Sequence, residues 1–214
     1  MIGLPYFEER RAAAEAVLAS ASGLVSTLTG SDAALRLVPE LDGERRRRIL
    51  ALNVEVFGRE GEVFDGRALD EVAADPDALL VVLDVAGRTE GFVFGYYEEP
   101  AQPVVPGADF FFDTGAVAPR WRGRGLGLRC AAAVLLLTGL LGDVHRIGLA
   151  VWNAGAVDAL VALYGRLGFA DAQCSMPGCR CLAVDVDAAS EATWRALLDV
   201  PAMRPAAPDG SPRR

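Results

Sequence analysis

No lysine occurs in these 214 residues, so all 21 basic side chains are arginine. That absence removes mechanisms built on a lysine Schiff base and the Gly-Lys-Ser/Thr phosphate loop of the Walker type. Positive charge is scarce overall, with a formal net charge of −8, and a nucleic-acid partner, which needs a basic face, is not expected. Long apolar stretches are scarce too. The run Ala131 to Leu141 is interrupted by Thr138 and Gly139 and is too short to span a bilayer. The N-terminal Met1 to Glu9 has no basic n-region and no signal-peptide core, so no membrane and a cytoplasmic home are the expectation.

Cysteine is limited to Cys130, Cys174, Cys179 and Cys181, and without an export signal reduced thiols are the expected state. The C-x4-C-x-C spacing is not a usual zinc pattern and Pro177-Gly178 reads as a plain hairpin turn, so no metal is expected. The single histidine, His145, opens a strand-like run, where a hydrogen-bonded structural role is the simpler reading.

Hydrophobic residues make up 52% of the chain, enough for one full core and one domain. Residues 1–31 read as a helical extension, with an alanine-rich helix over Tyr6 to Leu18. The main domain is expected over 32–188. Residues 189–214 read as a C-terminal helix, Ala188 to Leu198, and a disordered tail from Met203. Between these limits Asp42 caps a helix through Val56, with Arg45 to Arg48 expected largely in solvent. A second helix covers Asp65 to Ala74 and ends at Pro76. Strands are expected at Leu35 to Val38, Leu79 to Leu83, Gly91 to Tyr97 and Phe110 to Val117. A helix over Leu128 to Leu141 then crosses to a parallel strand, Ile147 to Val151. A helix near Val157 to Leu167 and a last hairpin ending in Leu182 to Val186 complete the order.

The chemistry gathers in Val117-Ala-Pro-Arg-Trp-Arg-Gly-Arg-Gly-Leu-Gly127. Glycines 123, 125 and 127 leave the backbone bare where a strand gives way to a helix. Several N–H groups can converge there on one anion at the positive helix end, with Arg122 and Arg124 adding charge. A pyrophosphate is the natural ligand. A dinucleotide fingerprint is excluded, because the third glycine comes one residue early and five residues separate Val117 from Gly123.

The pattern Arg122-x-x-Gly125-x-Gly127 resembles motif A of the GNAT superfamily of N-acetyltransferases. Val117-x-Pro119, the strand Ile147 to Val151, and Leu163-Tyr164-x-x-Leu167-Gly168-Phe169 follow in the same family order. The resemblance is specific from about Asp113 to Phe169. It implies an α/β fold with a mixed sheet of about seven strands, flanked by helices and splayed between its fourth and fifth strands. It implies acetyl-coenzyme A as co-substrate, direct attack by a small-molecule amine, and allows a homodimer. Pantetheine would pair with backbone groups of Gly115, Ala116 and Val117, and the pyrophosphate would rest on Gly123, Arg124, Gly125, Leu126, Gly127 and Leu128. Gly115 fits either a bulge that frees those groups or a packing gap. Tyr164 matches the tyrosine that protonates the departing thiolate.

The chain departs from the family in two places. The positions that carry a glutamate base in some relatives are here Phe111 and Ala150. Asp113 is the substitute candidate, with Glu98 and Glu99 behind it. The family's pantetheine-holding asparagine falls on Val157, leaving Asn153 as the residue that could reach back. The acceptor wall is expected from the first two helices and the last hairpin. Transfer of another acyl group from its coenzyme A or a carrier-protein thioester in specialised metabolism, or a non-catalytic acyl-coenzyme-A-binding module, stays open beside the acetyltransferase reading.

Overall fold

The computed structural model describes residues 4–38, 40–58, 63–75, 78–98, 103–152 and 157–200. Pro76, Glu99, Asn153 and the tail from Met203 lie outside the described residues. The strands are β1 (Ala33–Leu37), β2 (Ala78–Val85), β3 (Arg88–Tyr97), β4 (Phe110–Val117), β5 (Arg146–Val151), β6 (Ala170–Ala172) and β7 (Arg180–Asp185). The helices are α1 (Leu4–Thr29), α2 (Gly43–Phe57), α3 (Gly66–Ala74), α4 (Leu126–Leu141), α5 (Val157–Gly165) and α6 (Ala188–Leu198). The seven strands make one sheet in the order β1-β2-β3-β4-β5-β7-β6. Every neighbouring pair is antiparallel except β4 and β5.

The continuous apolar run in β2 has a physical reason: the sheet is covered on both faces. Leu79, Val81 and Leu83 enter a core shared with α1, α4 and α6. Leu80 and Val82 enter a second core with Ile49, Leu52 and Leu69 of α2 and α3. The crossover helix α4 is apolar nearly all round, with twelve of its 16 residues buried, so one sheet face cannot satisfy it. Helices α1 and α6 cover its back. Ala14, Val17, Leu18, Ala21 and Val25 of α1 are buried in that core, as are Trp194 and Leu198 of α6. One core therefore runs across both boundaries read at 31 and 188. By length and hydropathy Ala12–Thr29 could also cross a bilayer, but here its buried residues are those of a core helix.

Asp42 caps α2 as its side chain accepts from the N–H groups of Glu44 and Arg45 at 2.9 and 2.8 Å. The arginine run that follows is not the solvated face expected from its charge. Arg46 forks onto Asp70 of α3 at 2.6 and 2.8 Å, Arg45 reaches Asp84, and Arg48 donates to the Thr89 carbonyl at 2.8 Å. Only Arg47 of the four is exposed. Planar guanidinium groups with several donors can tie two elements at once, which a helical-wheel reading does not register.

Trp194 is fully buried and its indole N–H donates to the Leu167 carbonyl at 2.9 Å. Trp194→Ala is expected to lower unfolding free energy by about 3–5 kcal/mol in urea titration. A loss under about 1 kcal/mol would mean that α6 lies outside the cooperative core.

Candidate active site

Strands β4 and β5 pair through only two residue pairs, Phe110 with Ile147 and Phe111 with Gly148. Beyond them β4 continues to Val117 and β5 to Val151 with no ladder between. The gap is a cleft of about 760 Å³ walled by β4, β5, α5 and the start of α4. On its other side β4 stays paired to β3 from Gly95 with Phe112 to Gly91 with Val117. Its edge toward β5 thus offers backbone donors and acceptors to a guest, every second residue facing that way.

Gly115, Ala116 and Val117 line this edge. The bulge, however, falls at Asp113: Thr114 faces Phe94 and Phe112 faces Gly95, leaving Asp113 as the extra residue. Gly115 is instead a close approach, since a Cβ there would lie 2.9 Å from Cγ2 of Val93. The bulge re-aims Asp113 into the cleft.

At the far end a short 3-10 turn, Pro119–Trp121, leads into the glycine turn. Glu90, only 3% exposed, anchors that corner by accepting from Arg120 and pairing with Arg48 and Arg88. Gly123 and Gly125 have φ of 76° and 73°, left-handed backbone that suits glycine. Helix α4 therefore starts at Leu126, two residues earlier than expected, and no side chain caps it. The first N–H groups of α4 have no intrahelical partner, and the helix dipole adds to their pull on an anion. Arg122, Gly123, Gly125, Leu126, Gly127 and Leu128 line the cleft here.

Arg124 does not join them. Its guanidinium stacks 5.1 Å from the Trp121 ring centroid and donates to the Leu28 carbonyl of α1. Arg166 and Trp152 line the cleft, and neither was singled out in the sequence. Trp121 lines it too, and its buried indole N–H has no partner among the described residues. An orphaned donor, a bare turn and an open strand edge together fit an elongated phosphorylated ligand.

Tyr164 projects from α5 between Phe112 and Phe169, with ring centroids 5.9 and 5.7 Å away. Burial pushes its phenol up to about 12, so it stays protonated through the neutral range. Asp113 is exposed to the same cleft, with protein gathered around its carboxyl group. Desolvation raises its carboxyl pKa, and the Thr114 hydroxyl, 3.2 Å away, only partly opposes that. Phe111 is buried and Ala150 lines the cleft, so neither glutamate position supplies a carboxylate. Glu98 is committed elsewhere, accepting from the N–H groups of Val104 and Val105 at 2.8 and 3.3 Å. Of the expected acceptor wall, Val56 and Phe57 of α2 reach the cleft.

The expectation of reduced thiols is overturned for one pair, because Cys174 and Cys181 are joined as a disulfide. Spacing alone could not show this, since the turn at Pro177-Gly178 is what returns the two residues to 5.2 Å between Cα atoms.

The fold is similar to that of solved structures of GNAT-family N-acetyltransferases. No family model matches the sequence, and no curated protein matches it, whereas solved structures do. The ribosomal-protein-S18-alanine N-acetyltransferase of Escherichia coli superposes with a TM-score of 0.56 at 16% identity, covering 72% of this chain and 94% of that one. An acyl-CoA N-acyltransferase of Pseudomonas aeruginosa gives 0.54 at 17%, covering 72% and 98%. A Bacillus halodurans protein gives 0.60 at 12%, covering 80% and 93%. At these identities the likeness speaks for the fold.

The raised Asp113 pKa has a sign that can be tested. Its charged form is disfavoured in the folded chain, so the cost is present above the folded pKa. That cost fades as pH falls to the ordinary 3.8. Asp113→Asn is therefore expected to raise the melting temperature at neutral pH, with the gain shrinking toward pH 3.8. An equal gain at both ends would contradict the desolvation account.

Proposed function

We propose that the protein is an acyl-coenzyme-A-dependent N-acyltransferase that moves an acetyl group from acetyl-coenzyme A to a small-molecule amine. One observation carries the reading: the unpaired edge of β4 and the bare start of α4 share one cleft with Tyr164. Pantetheine pairs along Gly115 to Val117, and the pyrophosphate meets the N–H groups from Gly123 to Leu128 and the charge of Arg122.

The neutral amine attacks the thioester carbonyl carbon, the C–S bond breaks, and the sulfur leaves with the electron pair. Backbone N–H groups near Val117 stabilise the oxyanion on the way, being fixed dipoles that need no reorganisation. Tyr164 returns a proton to the sulfur. Burial keeps its phenol protonated through the neutral range, so the proton is there to give. Asp113, above its raised pKa, accepts the proton that the amine loses.

Calorimetric titration with acetyl-coenzyme A tests the donor. Binding is expected in the wild type and its loss in Arg122→Ala/Gly125→Val, because valine is strained at the left-handed Gly125. No binding by folded, wild-type protein would sink the acetyl-donor reading in favour of a carrier-protein donor. Binding with no turnover against a panel of amines, an alanine-ended peptide among them, would leave a non-catalytic binding module.

Tyr164→Phe keeps the ring contacts and removes the proton. It is expected to lower kcat by about 100-fold with KM little changed. A kcat within about twofold of wild type would reduce Tyr164 to a packing residue.

A further inference from the structure

We propose that Cys174, Cys179 and Cys181 form a thiol–disulfide exchange site beside the cleft, with Cys179 as the attacking thiol. Three sulfurs within 4.8 Å of one another gather on the β6–β7 hairpin. Two are already joined, Cys174 to Cys181, and the third is free. The Cys179 sulfur lies 2.8 Å from that of Cys174 and 3.8 Å from that of Cys181. A thiol held against a disulfide is the ground state of an exchange reaction, which otherwise depends on access and on the thiolate fraction. Access is present: Cys174 and Cys179 are half-buried, and Ser175, Pro177, Gly178 and Arg180 around them are exposed. The remaining cysteine, Cys130, is sealed in α4 and takes no part.

The step balances without an outside oxidant. Cys179 gives its proton to solvent and its thiolate attacks the Cys174 sulfur. The 174–179 bond forms as the 174–181 bond breaks, and the electron pair leaves on the Cys181 sulfur, which takes up a proton. The product suits its surroundings. Cys181 is 2% exposed and packs with Phe111 and Ala183, a setting in which a neutral thiol behaves as a small hydrophobe.

Position gives the exchange a consequence. Cys181 pairs with Ala150 of β5 on one side and with Ala172 of β6 on the other, and Ala150 lines the cleft. Ser175, next to Cys174, bonds the carbonyls of Pro103 and Val104 on the neighbouring loop. The 174–181 link therefore ties Cys174, with that loop, to a residue in the ladder of β5. The 174–179 link ties it instead to the turn just before β7. The same sulfurs, fully reduced, would make a soft-metal trio, but the disulfide already occupies two of them.

The full chain answers the question through its arginines. After equilibration in mixed reduced and oxidised glutathione, acid quenching and alkylation, trypsin cuts at Arg166, Arg180 and Arg195. Cys174 and Cys179 then share one peptide, and Cys181 is on the next. The 174–181 form appears as two cross-linked peptides, and the 174–179 form as one looped peptide beside alkylated Cys181. Both are expected from wild type, and Cys179→Ser is expected to lose the looped species altogether. Cross-linked peptides alone from wild type, with Cys179 alkylated, would overturn the proposal. So would three unlinked thiols, with or without stoichiometric zinc or copper. The readout is on the sulfurs, so failure here leaves the coenzyme reading untouched.

Discussion

Two parallel strands that pair through two residues and then part are the constraint on which the rest of the molecule is arranged. Parallel neighbours need a crossover, and the crossover is α4, whose first turn therefore lies at the mouth of the gap it creates. An apolar helix in that position has to be covered behind as well as in front, which accounts for α1 and α6. The gap has to be held open against collapse, and aromatic rings on α5 and β4 fill its lower end. Sheet topology, helix cover and cleft lining thus follow from one incomplete ladder.

The corner between β4 and α4 is set by charge. Glu90 on β3 is nearly inaccessible, and three arginines from α2, β3 and the 3-10 turn converge on it. Removing one partner from such a cluster leaves a buried carboxylate poorly compensated, which is costly. The Glu90 carbonyl also receives the Ala118 N–H at 2.8 Å, so backbone and side chain of one residue fix where the glycine turn begins. The glycine turn is anchored at its root although its glycines are permissive.

The sheet order around the crossover and the glycine turn were legible in the sequence because each has a local cause. Alternating and continuous apolar runs mark strands, and glycines at 123 and 125 sit where φ is positive. What was not legible depends on distance across the fold. The bulge at Asp113 is set by its register with β3, and no residue nearby announces it. Arg124 belongs by sequence to the anion site, yet Trp121 and the end of α1 compete for it and hold it. The arginines of α2 read as a solvated face because their partners lie on α3, β2 and β3. The pairing of Cys174 with Cys181 needed the hairpin to be closed.

Every cation on the rim of the cleft, Arg122 and Arg166 among them, is a guanidinium. A guanidinium supplies positive charge without offering an amine as acyl acceptor. Within these 214 residues there is no ε-amine at all. On the proposed reading, a reactive thioester held in this cleft would meet no lysine to modify. The protein's own side-chain amines would then be absent from the competition for the acyl group, and the attractive field around the donor would carry no risk of self-acylation on lysine.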